Sequence, residues 1–140
     1  MRDLFNGINP IRCISPVVIS DDTASVGEIV DRQGFDSLTY LIQTGTLADV
    51  DATFSILLED GDDSGLSDAA AVPDSDLLGT ESLAGFVFSD DDSTFKLGYN
   101  GSKRYTRLTL TPSGNSGSAP VSVVAVLAWP NSAPTSNPPS

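Results

Sequence analysis

The stretch Phe95–Pro112, FKLGYNGSKRYTRLTLTP, alternates apolar and polar residues on both sides of the step Asn100–Gly101. Asn-Gly accepts positive φ at both central positions of a type I′ turn, so it is a strong indicator of a β-hairpin. Alternation with a period of two indicates strands with one buried and one solvent-facing side. The residues predicted to face the core are Phe95, Leu97, Tyr99, Thr106, Leu108 and Leu110. The sequence therefore predicts two antiparallel strands that pair with each other.

The same stretch is basic, although the chain as a whole is strongly acidic. It carries Lys96, Lys103, Arg104 and Arg107 and no acid, whereas the chain has 7 Lys and Arg against 19 Asp and Glu, for a formal net charge of −12. Such a local excess of cations predicts a surface that pairs with an acidic partner. The alternative is that these cations balance acids of the same chain.

Further strands are predicted on either side of this stretch. Pro16 marks the first strand as an edge or bulged strand, because proline cannot donate to a sheet ladder. The segments 36–46 and 51–59 are separated by a short loop and are expected to pair antiparallel, and Ala69–Ala71 could form a helical turn. Pro120–Trp129 is the run richest in β-branched residues and is predicted to be a central, buried strand. The remaining predicted strands are Cys13–Ile19, Gly27–Asp31, Leu77–Leu78 and Ala84–Ser89.

About eight short strands with turn residues every eight to twelve positions predict an all-β fold, an antiparallel β-sandwich of jelly-roll-like or Ig-like type. We expect the sandwich domain to span residues 17–130. Residues 1–16 are predicted to form a flexible arm, either a frayed terminus or a segment that orders on a partner, because Leu4, Phe5 and Ile8 would otherwise be exposed. Residues 131–140 are rich in proline and are expected to form a disordered, polyproline-like tail.

Candidate catalytic chemistry is scarce in this sequence. The chain has no histidine, which is the usual general base and the commonest metal ligand. Cys13 is the single cysteine and is predicted to be a buried hydrophobe. Asp and Glu stand almost wholly in turns, where Asp favours local backbone hydrogen bonds. We therefore expect no catalytic residues, no cofactor and a protein that is not an enzyme.

The acidic loop that begins at Asp60 offers one alternative, a calcium site. Asp60, Asp62 and Ser64 occupy the first, third and fifth positions of an EF-hand-like spacing, and Asp68 falls at the ninth. Ala71 stands at the twelfth position, where a bidentate glutamate is needed. A solvated acidic loop without a metal is therefore the expectation, with calcium as the weaker alternative.

Composition also excludes some partners. A chain this acidic is not expected to bind nucleic acid, because phosphate neutralisation needs clustered Lys and Arg. No run approaches the roughly 20 apolar residues of a membrane span, and Met1-Arg2-Asp3 leads into no apolar signal segment. Synthesis in the cytosol and no membrane association are therefore predicted.

Several segments resemble small proteins encoded among the head genes of tailed bacteriophages, which are identified as capsid decoration, or cement, proteins. The resemblance covers the chain from about Gly27 to Trp129 and is most specific at Tyr99–Arg107, YNGSKRYTR. The other segments that carry it are Gly34–Gln43, Asp51–Asp60, Asp74–Gly79 and Val121–Trp129. The resemblance implies a homotrimer on a β-sandwich fold, located on the outer surface of the capsid.

These expectations lead to a structural virion protein that bridges subunits of the major capsid protein. Exposure patterns nominate Phe5 and Tyr105 as aromatic anchors, with Arg104 and Arg107 for charge pairing. The full set of predicted interface residues is Leu4, Phe5, Ile8, Arg12, Lys103, Arg104, Tyr105 and Arg107. The alternative is a host-receptor or carbohydrate-binding module of a phage fibre or spike, since β-sandwiches serve both roles.

Overall fold

A computed structural model describes residues 2–139. It contains eleven strands, two short 3₁₀ turns (Phe5–Gly7 and Asp74–Asp76) and one short helix, α1 (Glu81–Ala84). The strands are β1 (Ile8–Ile19), β2 (Ser25–Val26), β3 (Val30–Asp31), β4 (Phe35–Thr44), β5 (Thr53–Gly61), β6 (Ala70–Ala71), β7 (Leu77–Leu78), β8 (Phe86–Val87), β9 (Thr94–Tyr99), β10 (Tyr105–Ser113) and β11 (Ala119–Pro130).

The strands form two antiparallel sheets, so the predicted β-sandwich is confirmed. Sheet A has the strand order β1-β11-β4-β9-β7. Sheet B has the order β2-β10-β5-β6, with β3 also paired to β10 and β8 to β5. Five of the eleven strands are only two residues long, and two of these, β2 and β6, lie outside the predicted strands.

The core lies between the two sheets and is built from the alternating positions that the sequence predicted. In sheet A, Leu38, Tyr40 and Ile42 of β4 are each no more than 1 % exposed. In sheet B, Leu108 and Leu110 of β10 are fully buried. A hydrogen bond of 2.6 Å between the hydroxyls of Tyr40 and Thr106 links the two sheets within this core. Alternation therefore identified correctly which side of β9 and β10 faces inward, whereas β1 buries the consecutive residues Cys13 and Ile14 beside its register shift.

Strand β11 occupies the position in sheet A that the sequence predicted for it. It lies between β1 and β4 and pairs antiparallel with both along almost its whole length. Strand β1 is an edge strand with two register shifts, one on each side of Ile14, and Pro16 lies within the second. The prediction of an edge or bulged strand around Pro16 is confirmed.

The predicted hairpin around Asn100–Gly101 is wrong. Strand β9 pairs with β4 in sheet A, whereas β10 pairs with β5 in sheet B, so the connection crosses from one sheet to the other. Neither Asn100 nor Gly101 adopts positive φ, as a type I′ turn requires. The connection, residues 100–104, is called the crossover loop below. Alternation specifies the buried side of a strand but not its neighbour, and the Asn-Gly step therefore misled the prediction.

Two further pairing predictions are corrected by the sheet order. Strands β4 and β5 do not pair, because β4 belongs to sheet A and β5 to sheet B. Ala70–Ala71 forms the short strand β6 against Glu59 and Asp60 rather than a helical turn. Strands β4 and β5 each bury their alternating apolar residues in a different sheet, which local sequence does not reveal. Both residues of β6 are exposed, so its pairing with β5 buries no apolar side.

The chain ends also differ from prediction. Residues 8–16 of the predicted arm belong to β1, so only residues 2–7 precede the sandwich. Residues 131–139 do not form a free tail, because the backbone N–H of Thr135 donates to the carbonyl of Asn6. The hydroxyl of Thr135 also donates to the carbonyl of Ile8, at 2.6 Å. The two terminal segments therefore pack against each other at one end of the sandwich.

Candidate protein-binding surfaces

The crossover loop is held in place by Arg32, which follows β3. The Nε and one Nη of Arg32 donate to the carbonyl of Lys103 at 2.9 and 2.6 Å, and the same Nη donates to the carbonyl of Gly101 at 3.2 Å. Its guanidinium carbon also lies 4.8 Å from the centre of the Tyr99 ring, a cation–π geometry. Arg32 therefore satisfies two carbonyls of the crossover loop and covers the ring of Tyr99, the residue that precedes the loop.

Tyr99 joins the crossover loop to the opposite sheet. Its hydroxyl donates a 2.7 Å hydrogen bond to the carboxylate of Asp60 on β5, and it accepts a 3.1 Å bond from the backbone N–H of Lys103. Burial raises the pKa of Tyr99, and the neighbouring Asp60 raises it further. Tyr99 therefore remains a neutral donor to a carboxylate that is only 8 % exposed.

The predicted interface cations of this region are paired with acids of their own chain. Lys103 lies 3.0 Å from Asp62. Arg107 and Glu59, which face each other across β10 and β5, are 3.3 Å apart. The exposed pair of Lys103 and Asp62 contributes little to stability, because water screens the two charges. The pair of Arg107 and Glu59 is half-buried, and both pairs neutralise the local charge.

Arg104 makes the most extensive of these pairs. Its Nε and one Nη donate to the two carboxylate oxygens of Asp31, both at 2.9 Å, and that Nη also donates to Gln33 at 2.6 Å. The hydrogen bond from Arg104 lowers the pKa of Asp31, and the same bond raises the pKa of Arg104. Its guanidinium carbon lies 5.0 Å from the centre of the Tyr105 ring. These contacts match the alternative in which the basic stretch balances acids of the same chain.

The predicted interface residues do not form one surface. Lys103, Arg104, Tyr105 and Arg107 come together at one end of β10, on sheet B. The other four, Leu4, Phe5, Ile8 and Arg12, belong to β1 and the segment before it, on the side of sheet A. Of these four, Leu4 is 61 % and Phe5 66 % exposed.

Three of the four residues of the calcium alternative, Asp60, Asp62 and Asp68, are engaged in other contacts. Asp60 accepts from Tyr99, and Asp62 pairs with Lys103. The carboxylate of Asp68 accepts from the backbone N–H groups of Asp62 and Asp63, at 2.9 and 3.2 Å. Across residues 2–139, no cluster of three or more His, Cys, Asp or Glu side chains is arranged to hold a metal ion.

The solvent-facing side of sheet A has a composition unlike the rest of the protein. We call it the sheet A face and define it by the residues that alternate with the buried ones. None of these residues is acidic. They are Ile8, Pro10 and Arg12 of β1, Pro120, Ser122, Val124, Val126 and Ala128 of β11, Ser37, Thr39, Leu41 and Gln43 of β4, Thr94, Lys96 and Gly98 of β9, and Leu78 of β7.

Strand register places both cations of the sheet A face in one cross-strand row. Arg12 pairs with Val124, Val124 with Leu41, and Leu41 with Lys96. Three spacings of about 4.8 Å separate the outer two residues, so their backbones lie roughly 14 Å apart. The row therefore presents two apolar side chains between two cations.

A shallow cleft lies at the other end of the sheet A face. Its volume is about 390 Å³, and its lining includes Val18, Gln43, Pro120 and Ser122. The cleft forms where Pro16 and the register shift separate β1 from regular pairing with β11. It adds an apolar recess to a surface that is otherwise flat.

The outer side of sheet B provides a contrast. Its mid-strand position Leu57 is 39 % exposed, close to the 44 % of Leu41 on the sheet A face. Acids do occur there, since Glu59 on β5 and Asp31 on β3 pair with its arginines. The sheet A face was missed in the sequence, although the signal was present: the outward positions of four long strands, β1, β4, β9 and β11, lack Asp and Glu. Recognising it required knowing that these strands are neighbours.

Comparisons with known proteins identify no family. No protein-family model and no curated protein matches the chain. The solved structures with a similar fold include the SPBc2 prophage-derived protein YomS, at 11 % identity and TM-score 0.46, covering 86 % of this chain and 91 % of that one. They also include the xylan-binding module CBM15, at 14 % identity and TM-score 0.43, covering 93 % and 95 %. A third is a xylanase from Cellvibrio japonicus in complex with xylopentaose, at 13 % identity and TM-score 0.48, covering 90 % of this chain and 28 % of that one.

Within residues 2–139 the structure has no helix of the length and apolar character needed to cross a membrane. The longest described α-helix, α1, has four residues.

Proposed function

We propose that this chain is a structural protein of a virus particle that binds the outer surface of the capsid and stabilises it by bridging subunits of the major capsid protein. The sheet A face is the observation that carries this proposal. In a chain of net charge −12, a side of the sandwich without a single acid is a surface kept suitable for contact with another protein. The resemblance of Tyr99–Arg107 and its flanking segments to capsid decoration proteins is the reason for proposing a virus capsid as the partner.

A homotrimer bound at the symmetry positions of the shell is part of the proposal. The sheet A face spans four main strands and roughly 400 Å² of sheet, judged from strand spacing and rise per residue. A standard stable interface buries about 800 Å² per partner, so one such contact is weak. Several weak contacts made at once by linked copies reach high avidity, which suits an oligomer on a repeating surface. No catalytic step and no cofactor are invoked.

The test is the composition and stability of purified particles. Particles of the virus that encodes this chain are expected to contain it in a fixed ratio to the major capsid protein, on the exterior, where protease can reach it. Particles made without the gene are expected to lose their DNA at a lower temperature or lower salt. Absence of the chain from purified particles would contradict the proposal.

A carbohydrate-binding module is the second candidate, and Trp129 is the observation that favours it. Trp129 is 67 % exposed at the end of β11 and adopts a φ of +53°, which presents the indole to solvent. An exposed tryptophan offers a flat apolar ring with one polar atom, suited to stacking on a sugar. Titration with xylo- and manno-oligosaccharides, monitored by isothermal titration calorimetry, distinguishes the two candidates: saturable binding that is lost in Trp129→Ala would favour the binding module.

A further inference from the structure

We propose that the sheet A face docks onto a protein surface that carries an apolar strip with a carboxylate near each end, about 14 Å apart, to match the row formed by Arg12, Val124, Leu41 and Lys96. This inference rests on the proposed function in one respect, namely that the partner is a protein of the virus particle. It adds which side of the sandwich is used and what chemistry the partner presents. The crossover loop region, where the predicted interface cations lie, is assigned no part in docking.

The first argument is the state of the cations. Three ion pairs occur within residues 2–139, and they engage Lys103, Arg104 and Arg107. Arg12 belongs to none of them, and its guanidinium instead donates to the hydroxyl of Ser15 at 2.7 Å. Lys96 is exposed and likewise belongs to none. The cations of the sheet A face therefore remain available to a partner's carboxylates, whereas those near the crossover loop are already neutralised.

The second argument is the apolar part of the row. Leu41 is 44 % exposed and Val124 is half-buried, and both stand at mid-strand where β11 and β4 pair without a register shift. On the β1 side, the first register shift begins directly after Arg12. Burying such side chains is favourable by about 25 cal/mol for each Å² of apolar surface removed from water. Apolar contact thus supplies affinity, and the flanking cations fix the register and discriminate between partners.

The third argument excludes face-to-face pairing of two copies. An isologous dimer through the sheet A face would bring two Arg12 and two Lys96 into one interface without a single acid. Like charges placed together in an interface oppose association. The complementary surface is therefore not the same face of a second copy, and the proposal commits to a different protein as the partner.

The experiment places a photo-crosslinking amino acid at position 41 of the full chain and, as a matched control, at position 57. Leu41 and Leu57 have nearly equal exposure, 44 % and 39 %, on opposite sheets. Each variant is expressed in cells that also express the natural genome encoding this chain, so that its natural partners are present. Crosslinked peptides are identified by mass spectrometry, with and without the charge reversals Arg12→Glu and Lys96→Glu.

The expected result is a crosslink from position 41, and not from position 57, to a peptide of one particle protein that contains at least two carboxylates. The double charge reversal is expected to reduce its yield at least tenfold. A crosslink from position 41 to an acidic protein absent from particles would support the docking surface and contradict the proposed function. No crosslink from position 41, a crosslink to a second copy or to a peptide without carboxylates, or equal yields from both positions would overturn the inference.

A second pair of variants tests the same docking surface without a crosslinking amino acid. Leu41→Asp and Leu57→Asp each add one acid at an exposed mid-strand position, and circular dichroism checks that both fold. Leu41→Asp is expected to weaken co-sedimentation with purified particles at least tenfold, while Leu57→Asp leaves it unchanged. Equal retention of both variants would count against the sheet A face.

Discussion

The hydroxyl of Tyr99 on sheet A donates a 2.7 Å hydrogen bond to the buried carboxylate of Asp60 on sheet B, and this bond ties the two sheets together where the chain crosses between them. The same hydroxyl accepts from the backbone of Lys103 within the crossover loop. One atom thus supports the position of the loop and also satisfies an oxygen of a buried carboxylate.

Tyr99→Phe is expected to destabilise the protein by about 1–3 kcal/mol, because it leaves the buried carboxylate of Asp60 without its donor. The measurement is the urea-induced unfolding free energy at pH 7. Tyr105→Phe is the matched control, since within the described residues the Tyr105 ring contacts Arg104 but no hydrogen bond engages its hydroxyl. A loss in Tyr99→Phe no greater than in the control would show that the bond to Asp60 contributes nothing measurable.

The buried pair Tyr40 and Thr106 allows a double-mutant cycle. Tyr40→Phe removes one hydroxyl and leaves the other buried without a partner, so a loss of about 1–3 kcal/mol is expected. Thr106→Val alone should have a similar effect. The double variant is expected to be more stable than the sum of the two losses predicts, because replacing both partners by apolar groups of similar shape removes the unsatisfied group. Strictly additive losses in the two single variants would show that the hydroxyls of Tyr40 and Thr106 do not stabilise each other.

Gly101→Ala tests the close packing of the crossover loop. A Cβ at position 101 would meet the hydroxyl and ring of Tyr99, which Arg32 and Asp60 hold in place. We expect a loss of about 1–3 kcal/mol, as for other overpacked sites. Gly7→Ala is the control, because no heavy atom lies within 4 Å of its added Cβ. Thermal unfolding of the two variants should differ, and equal melting temperatures would argue against the packing.

The pair Asp31–Arg104 predicts a component of acid sensitivity. The hydrogen bond from Arg104 lowers the pKa of Asp31 in the folded state below its usual 3.8. A carboxyl with a lowered folded pKa contributes stability above the unfolded pKa, and that contribution is lost as the pH falls through the folded pKa. Unfolding free energy should therefore fall as pH is lowered below about 4, and less steeply in Asp31→Asn. Arg104→Gln should also reduce the dependence of the unfolding free energy on pH below about 4. Identical slopes in the unsubstituted protein and both variants would show that this pair does not contribute to the acid sensitivity.

The buried side of the regular strands could be predicted from sequence, but that of the bulged strand β1 and the neighbours of the strands could not. Alternating residues such as Leu38, Tyr40 and Ile42 report which side faces the core, because burial is a property of each strand alone. Pairing depends on which sheet has room for a strand, and both β4–β5 and β9–β10 separated into different sheets. The Asn100–Gly101 step is compatible with a tight turn, yet contacts of Arg32 and Tyr99 impose a wider crossing.

The candidate binding surface, likewise, could not be identified from the sequence. Charge counting along the chain drew attention to Lys103, Arg104 and Arg107, which are consecutive or nearly so in sequence. Their acidic partners Asp62, Asp31 and Glu59 are distant in sequence, so their neutralisation is visible only in the fold. The sheet A face is assembled from four separate strands, and its lack of acids becomes meaningful only once those strands are known to be adjacent.

The place of β11 in sheet A affects how the polypeptide can be made. This strand is synthesised more than a hundred residues after β1, yet it separates β1 from β4. A nascent chain that has not yet emerged from the ribosome as far as Pro130 leaves both of those strands without their shared neighbour. Contacts between segments so distant in sequence slow folding. Translation that stops before residue 119 would therefore remove the middle of a sheet, not one margin of it, and leave two hydrogen-bonding edges open to aggregation.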